Sequence, residues 1–144
     1  MSFLGQVRKK ALQAHRRIVL PETNDERVIR AASQILKEGL AQVILVGNQE
    51  AVMNSAKAYE VSLSGAKIVD PYSFERFNDY VNKLVELRAK KGMTPEEAKK
   101  LLLTNSTFFG AMLVKMGDAD GMVSGSASPT ANVLRAAIQV IGTQ

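Results

Sequence analysis

A run of small and hydroxyl-bearing residues, 124 to 130, has the side chains that commonly bind an anion. It follows a predicted strand and precedes a predicted helix, Ala131 to Ile141, whose free amide groups and positive dipole end attract negative charge. The candidate substrate-binding residues in the run are Ser124, Gly125, Ser126, Ser128 and Thr130. These residues suggest a phosphate site, but from spacing alone the favoured interpretation is an ordinary strand-to-helix loop with an N-terminal cap, which uses the same residue types.

Two arginines are further candidates for binding an anionic substrate. Arg135 lies about one and a half helical turns after Thr130, so its guanidinium can reach the same face or the rim of the cleft. Arg88 lies near the end of a long amphipathic helix, where an arginine is more often solvated and stabilised by the helix dipole. The spacing Gly121-x-x-x-Gly125 matches neither a nucleotide P-loop nor a dinucleotide fingerprint.

The sequence argues against a metal centre and against a cysteine intermediate. It contains no cysteine, so any reacting thiol must come from a substrate. Its single histidine, His15, lies in a basic run and is expected to be solvated. The carboxylates of Asp118 and Asp120 are too few for a metal site, and a solvated turn is the expected alternative. We therefore expect no metal and no bound cofactor.

The elements that must position these residues alternate between strand and helix. The predicted strands are Arg17 to Leu20, Gln42 to Val46, Lys67 to Asp70 and Asp120 to Val123. The predicted helices are Phe3 to Ala14, a helix from Thr23 to Gly39, one after Asn48, one from Phe77 to Gly92, one capped by Thr94, and Phe108 to Met116. This order predicts an α/β fold of three αβα layers around a mostly parallel sheet, with ligands at the carboxyl ends of the strands.

Local signals mark where several helices begin and end. Thr23 with Glu26, and Thr94 with Glu97, have the spacing of capping boxes, and Pro95 suits a first helical position. Asn48 is expected to cap a helix, and Gly39 to end one. The 144 residues are expected to form one domain.

The chain is basic, with a net charge of +5 and a pI near 9.6. Its cations are spread over several helices, with only short clusters such as Arg8-Lys9-Lys10, and its aromatic residues show no interleaved stacking pattern. Nucleic acid is therefore a disfavoured partner. No apolar run has the length of a membrane span and residues 1–17 lack the core of a secretory signal, so a cytoplasmic protein without membrane contact is expected.

Three segments in series resemble the phosphate acetyltransferase (phosphotransacetylase) family. They are Arg17-Ile18-Val19-Leu20-Pro21-Glu22 with Asp25-Glu26-Arg27-Val28, then Glu86-Leu87-Arg88-Ala89-Lys90-Lys91-Gly92-Met93-Thr94, and finally residues 120 to 143. The last segment includes Asp120-Gly121-Met122-Val123-Ser124-Gly125-Ser126-Ala127, Leu134-Arg135 and Gln139-Val140-Ile141-Gly142-Thr143. The likeness covers nearly the whole chain, and its last segment is similar to the family's cleft-forming segment.

The resemblance implies the first domain of a two-domain homodimeric enzyme whose active site lies between the domains. In that family the thiol of coenzyme A is deprotonated by an aspartate and attacks the carbonyl of acetyl phosphate, while cationic and hydroxyl groups hold the phosphate. Residues 1–144 correspond to the N-terminal α/β domain, and the base is expected in a C-terminal half. The catalytic residues are therefore not assigned here, the implied partners are coenzyme A, acetyl phosphate and phosphate, and the chain alone is expected to be inactive.

The sequence departs from the family's usual residues within the presumed site. Where the family carries a His or Asn, a Ser or Thr, an Asp and a Pro, this chain has Ser128, Pro129, Asn132 and Ala136. A transferase of butyryl phosphate and a domain appended to malic enzyme are therefore alternatives. A module that binds an acyl phosphate or coenzyme A without catalysis is the alternative outside the enzyme class.

Overall fold

Four parallel strands form the centre of the chain in a computed structural model that describes residues 3–14 and 17–124. The strands are β1 (Arg17–Leu20), β2 (Gln42–Val46), β3 (Lys67–Val69) and β4 (Gly121–Met122). Their order in the sheet is β3-β2-β1-β4, and every neighbouring pair is parallel. The predicted parallel α/β sheet is confirmed.

Helices cover both faces of this sheet. The helices are α1 (Phe3–Ala14), α2 (Glu26–Glu38), α3 (Gln49–Ala58), α4 (Phe77–Leu87), α5 (Pro95–Thr104) and α6 (Ser106–Lys115), with a 3₁₀ turn at Ala89–Lys91. No helix in the described part of the chain is long and apolar enough to cross a membrane. The helix predicted at Ala131 to Ile141 lies outside the described residues.

Alternating strand residues divide the core into two layers. Ile18, Val43 and Leu45 pack with α1, α2 and α3, whereas Val19 and Ile44 pack with α4, α5 and α6. All five side chains are at most 3% exposed. Because successive residues of a strand point to opposite faces, one apolar strand can fill both layers. The predicted three-layer arrangement follows from this packing.

Helices α3 and α5 begin with the capping residues that the sequence predicts. Asn48 accepts a hydrogen bond from the Ala51 amide at 3.0 Å. The Thr94 hydroxyl accepts from the Glu97 amide at 3.2 Å, and the Glu97 carboxylate accepts from the Thr94 amide at 3.3 Å. These side chains satisfy amide groups that have no partner within their helices.

The capping box predicted at Thr23 and Glu26 is wrong. Asp25 caps α2 by accepting from the Arg27 amide at 2.9 Å, and the Thr23 hydroxyl instead donates to the Val46 carbonyl at 2.7 Å. Aspartate is as good a cap as threonine, and a carbonyl at the end of β2 gives Thr23 a tertiary partner that local spacing does not reveal. Thr23 therefore joins the ends of β1 and β2.

Three other predicted elements have different bounds in the structure. Strand β3 ends before Asp70, whose carboxylate accepts from the Tyr72 amide at 3.0 Å and so begins a turn. Helix α4 ends at Leu87 rather than continuing to Gly92, and a 3₁₀ turn fills the interval. Helix α6 begins before Phe108 because Asn105 accepts from the Phe108 amide at 3.1 Å.

Helix α6 packs closely against the ends of β1 and β4 at Gly110. A Cβ atom at this position would lie 2.9 Å from Met122 Sδ and 3.2 Å from Pro21 Cβ. The methionine tip can move, but the proline ring is fixed to the backbone. The absence of a side chain at residue 110 therefore sets the distance between α6 and the two strands.

We expect Gly110→Val to lower the free energy of unfolding by about 1 to 3 kcal/mol, because the added branch overpacks this contact. Helix propensity cannot account for such a loss, because valine is a better helix former than glycine. Lys99→Val, at an exposed position of α5, is the control for a valine on a helix surface. Urea denaturation of both variants measures the difference. Equal stabilities for the two variants would contradict the close packing at Gly110.

Candidate functional site

The carboxyl ends of β1 and β4 lie side by side where the strand order reverses. From β1 the chain proceeds to β2 and β3 on one side, whereas β4 pairs with the opposite side of β1. In open parallel sheets a ligand crevice forms at such a reversal, because the connections diverge above it. At this edge Pro21 and Glu22 follow β1, and Ser124 lies two residues after the end of β4.

Glu22 is buried at this edge and bonded to Ser124. The residue is only 3% exposed, and its carboxylate accepts a hydrogen bond from the Ser124 hydroxyl. Beneath them the Val123 amide donates to the Val19 carbonyl at 3.1 Å, which continues the β1–β4 ladder. The first residue of the predicted anion-binding run is thus fixed to the end of β1.

Sequence reasoning placed Glu22 in a family-like segment but did not select it as a site residue. The available signal was its position directly after Pro21, which ends a buried strand at the edge where ligands bind. The fact that would have singled it out is its burial, since a glutamate is rarely buried without a bonding partner. Burial depends on tertiary packing and is not visible in the local sequence.

The start of α2 adds an exposed cation near Glu22. Arg27 pairs with Asp25 at 3.0 Å, and its side chain is 64% exposed. The hydrogen bond that Arg27 donates to Asp25 raises the pKa of Arg27, and the negative charges of Asp25 and Glu22 act in the same direction. This edge of the sheet therefore carries both signs of charge.

A pocket of about 430 Å³ lies beside the ends of β2 and β3. Its lining includes Gly47, Asn48, Asp70, Thr104 and Ser106. Gly47 has a φ of 152°, and a Cβ there would lie 2.8 Å from the Thr23 hydroxyl oxygen. A glycine at residue 47 therefore allows Thr23 to approach the end of β2.

Arg88 lies at the carboxyl end of α4 and is half-buried. Its Nε atom is buried and has no hydrogen-bond partner among the residues that the structure describes, which is unusual for an arginine that is simply solvated. Within residues 3–14 and 17–124, no hydrogen bond or ion pair joins Arg88 to Ser124 or Glu22. The structure brings Ser124 to Glu22 but does not bond Arg88 to either of them.

We expect Arg88→Ala in the full-length protein to lower kcat/KM for acyl transfer by about tenfold, because its Nε, which has no partner among the described residues, can donate to an anionic substrate. The melting temperature should change little, since the side chain makes no hydrogen bond through Nε that folding would lose. Lys90→Ala removes an exposed positive charge two residues away and is the matched control. Unchanged kinetic constants for Arg88→Ala would show that this arginine has no role in substrate binding and is simply a solvated residue at the end of a helix.

The remaining predicted site residues, Gly125, Ser126, Ser128, Thr130 and Arg135, lie outside the described residues. Their roles stay predictions.

The carboxylates of Asp118 and Asp120 are both engaged by arginines. Asp118 accepts from Arg76 through both oxygens at 2.6 Å and also from the Tyr80 hydroxyl. Burial and the Asp118 carboxylate raise the pKa of Tyr80. Asp120 pairs with Arg17 at 3.1 Å. No group of three or more metal-ligating side chains occurs in the described part of the chain.

Comparison with known proteins gives consistent matches along the whole chain. Residues 2–144 match the family model described as phosphate acetyl/butaryl transferase. The phosphate acetyltransferase of Acetivibrio thermocellus is 45% identical over 143 residues, which are 99% of this chain and 42% of that protein. That of Bacillus subtilis is 40% identical over 142 residues, 99% of this chain and 43% of that protein.

Solved structures agree with these sequence matches. The EutD phosphotransacetylase from Staphylococcus aureus superposes with a TM-score of 0.82 at 37% identity, over 98% of this chain and 42% of its own. A phosphotransacetylase from Streptococcus pyogenes has the same TM-score of 0.82 at 40% identity, over 97% of this chain and 43% of its own. The chain thus spans less than half the length of these relatives.

Proposed function

Because the chain belongs to the phosphate acetyl/butaryl transferase family, we propose that it is the N-terminal α/β domain of a two-domain phosphate acetyltransferase. The complete enzyme transfers an acetyl group reversibly between acetyl phosphate and coenzyme A. Relatives that carry this name are more than twice as long as the chain, which supports a second domain. The proposal also includes a homodimer, which light scattering of the full-length protein would test.

The proposed reaction is a direct transfer within a ternary complex. The coenzyme A thiol loses its proton to a base in the second domain, and the thiolate forms a bond to the acetyl carbon. The carbon–oxygen bond to phosphate then breaks, and phosphate leaves with the bonding electrons. This chain contains no cysteine, so an acyl-cysteine intermediate would have to form elsewhere.

The first domain would contribute anion binding to this reaction. Attack on the carbonyl develops negative charge on its oxygen, and the leaving group is itself an anion. The residues that follow Ser124 in the run, the helix predicted after it and Arg135 would supply hydroxyls, amides and a guanidinium for these charges. The observation that carries this assignment is the position of Ser124, the first residue of the run, at the strand reversal.

The test is a steady-state assay of acetyl-CoA formation by the purified full-length protein with acetyl phosphate and coenzyme A. We expect saturable turnover with both substrates and no requirement for an added metal or cofactor. A protein that binds both substrates without turnover would instead be a non-catalytic binding module.

Butyryl transfer is the second candidate, favoured by the family description, which covers both acyl groups. The departures at Ser128, Pro129, Asn132 and Ala136 fall in the presumed site and so bear on acyl choice. Comparison of kcat/KM for acetyl and butyryl phosphate decides between the two. A higher value for butyryl phosphate would replace the acetyl assignment.

A further inference from the structure

Strand β4 is very short, so side chains must help to hold it beside β1. It contains only Gly121 and Met122, which pair with Ile18 and Val19. Two residues supply few ladder hydrogen bonds, and a side-chain contact at either end therefore has a large share in fixing the register. The predicted substrate-binding run begins two residues after this strand.

One side-chain contact closes the amino end of the β1–β4 pair. The Asp120 carboxylate accepts from the Arg17 amide at 2.9 Å and from the Arg17 Nε at 3.1 Å. The side chains of Arg17 and Asp120 are 35% and 24% exposed. Solvent therefore screens this contact, and it lies at the opposite end of the strands from Ser124.

A second contact closes the carboxyl end, where the candidate site lies. Here the Ser124 hydroxyl donates to the Glu22 carboxylate, and we call these two residues the Glu22–Ser124 pair. Glu22 is only 3% exposed, so water cannot readily replace its hydrogen bond to Ser124 when that bond is lost. Gly110 packs against Pro21, which directly precedes Glu22, and against Met122, which lies two residues before Ser124.

The direction of this hydrogen bond also sets what Ser124 can offer to a ligand. A serine hydroxyl has one proton to donate, and the Ser124 hydroxyl donates it to the Glu22 carboxyl oxygen. With that proton directed to Glu22, the Ser124 oxygen is left with its acceptor capacity. Towards a substrate Ser124 can then only accept a hydrogen bond, so an anion would be held by other residues of the run.

We propose that Glu22 is a positioning residue for acyl transfer, which holds the Ser124 hydroxyl and so fixes the start of the substrate-binding run. The inference rests on the proposed acyl-transfer function. It gives Glu22 no direct contact with the reacting atoms.

The test is a double-mutant cycle in the full-length protein, with kcat/KM for acetyl-CoA formation and the melting temperature measured for each variant. Glu22→Asp keeps the charge but shortens the reach, and Ser124→Ala removes the hydroxyl. Each should lower kcat/KM by about tenfold, and the double variant should lose no more than either single one, because each single change already breaks the Glu22–Ser124 bond. Glu22→Gln keeps an acceptor oxygen at full reach and should stay within about threefold of the unsubstituted enzyme.

The matched control is Asp120→Asn, which weakens the contact at the other end of the same two strands. It should lower the melting temperature and leave kcat/KM unchanged. The inference is overturned if Glu22→Asp has unchanged kinetics or if the two single losses multiply to about a hundredfold. It is also overturned if Asp120→Asn reduces kcat/KM as much as Glu22→Asp does.

Two further outcomes separate this inference from the proposed function. If Glu22→Asp fails to fold, Ser124→Ala alone decides the matter, and unchanged kinetics in that variant overturn the inference. If the unsubstituted protein forms no acetyl-CoA, the proposed function fails and this inference fails with it. Full activity in the unsubstituted protein and in Ser124→Ala would overturn only the role of the Glu22–Ser124 pair.

Discussion

Replacing Arg135 by glutamine in the full-length protein is expected to lower kcat/KM for acetyl transfer by roughly one to two powers of ten. A hydrogen bond to a charged group is worth about 1.5 to 3 kcal/mol, and glutamine keeps a polar side chain while removing the charge. Arg135 resembles the family's cleft arginine and follows the run whose first residue lies at the strand reversal. Steady-state kinetics with acetyl phosphate and coenzyme A measure the loss.

The matched variant Arg135→Lys distinguishes charge from geometry. An ammonium keeps the charge but does not reproduce the planar two-pronged contact of a guanidinium, so lysine should recover only part of the activity. If Arg135 formed only a surface ion pair, its removal would cost at most about 1 kcal/mol of stability and leave catalysis intact. Unchanged kinetics in both variants would defeat the assignment of Arg135 to substrate binding.

The second large effect is expected when residues 1–144 are produced alone. The separate chain should fold, because its sheet has a core on both faces, but acetyl transfer should fall to near the background rate. The proposed base and the opposite wall of the cleft belong to the second domain, and removing both abolishes proton removal and substrate orientation together. Acetyl-CoA formation by equal amounts of the separate chain and the full-length protein provides the comparison.

Circular dichroism and thermal unfolding of the separate chain supply the control for this experiment. A cooperative transition shows that the chain is folded, so that missing activity reflects a missing half of the site. Turnover near that of the full-length protein would contradict the division of the site between two domains.

The strands were predictable because their sequences are short, apolar and rich in β-branched residues. Arg17–Leu20 and Gln42–Val46 have the predicted bounds, and each places buried residues on both faces of the sheet. Their parallel pairing followed from the intervening helices, since a parallel neighbour requires a crossover connection. The location of the candidate site at the carboxyl edge followed from that topology alone.

Contacts between distant residues were not predictable in the same way. Thr23 has the spacing of a helix cap, yet its hydroxyl bonds to the Val46 carbonyl, which lies 23 residues away in the chain. Glu22 and Ser124 are 102 residues apart, and nothing in either local sequence indicates their hydrogen bond. Local patterns thus located the edge of the sheet, whereas the partners across that edge depend on the folded packing.

We propose that in the full-length protein an acetyl group passes directly between phosphate and coenzyme A. Exchange of labelled inorganic phosphate into acetyl phosphate, measured with and without coenzyme A, tests it most directly. Direct transfer predicts that label enters acetyl phosphate only when coenzyme A is present, because phosphate must attack acetyl-CoA in the reverse reaction. Exchange without coenzyme A, or no exchange in its presence, would contradict direct transfer.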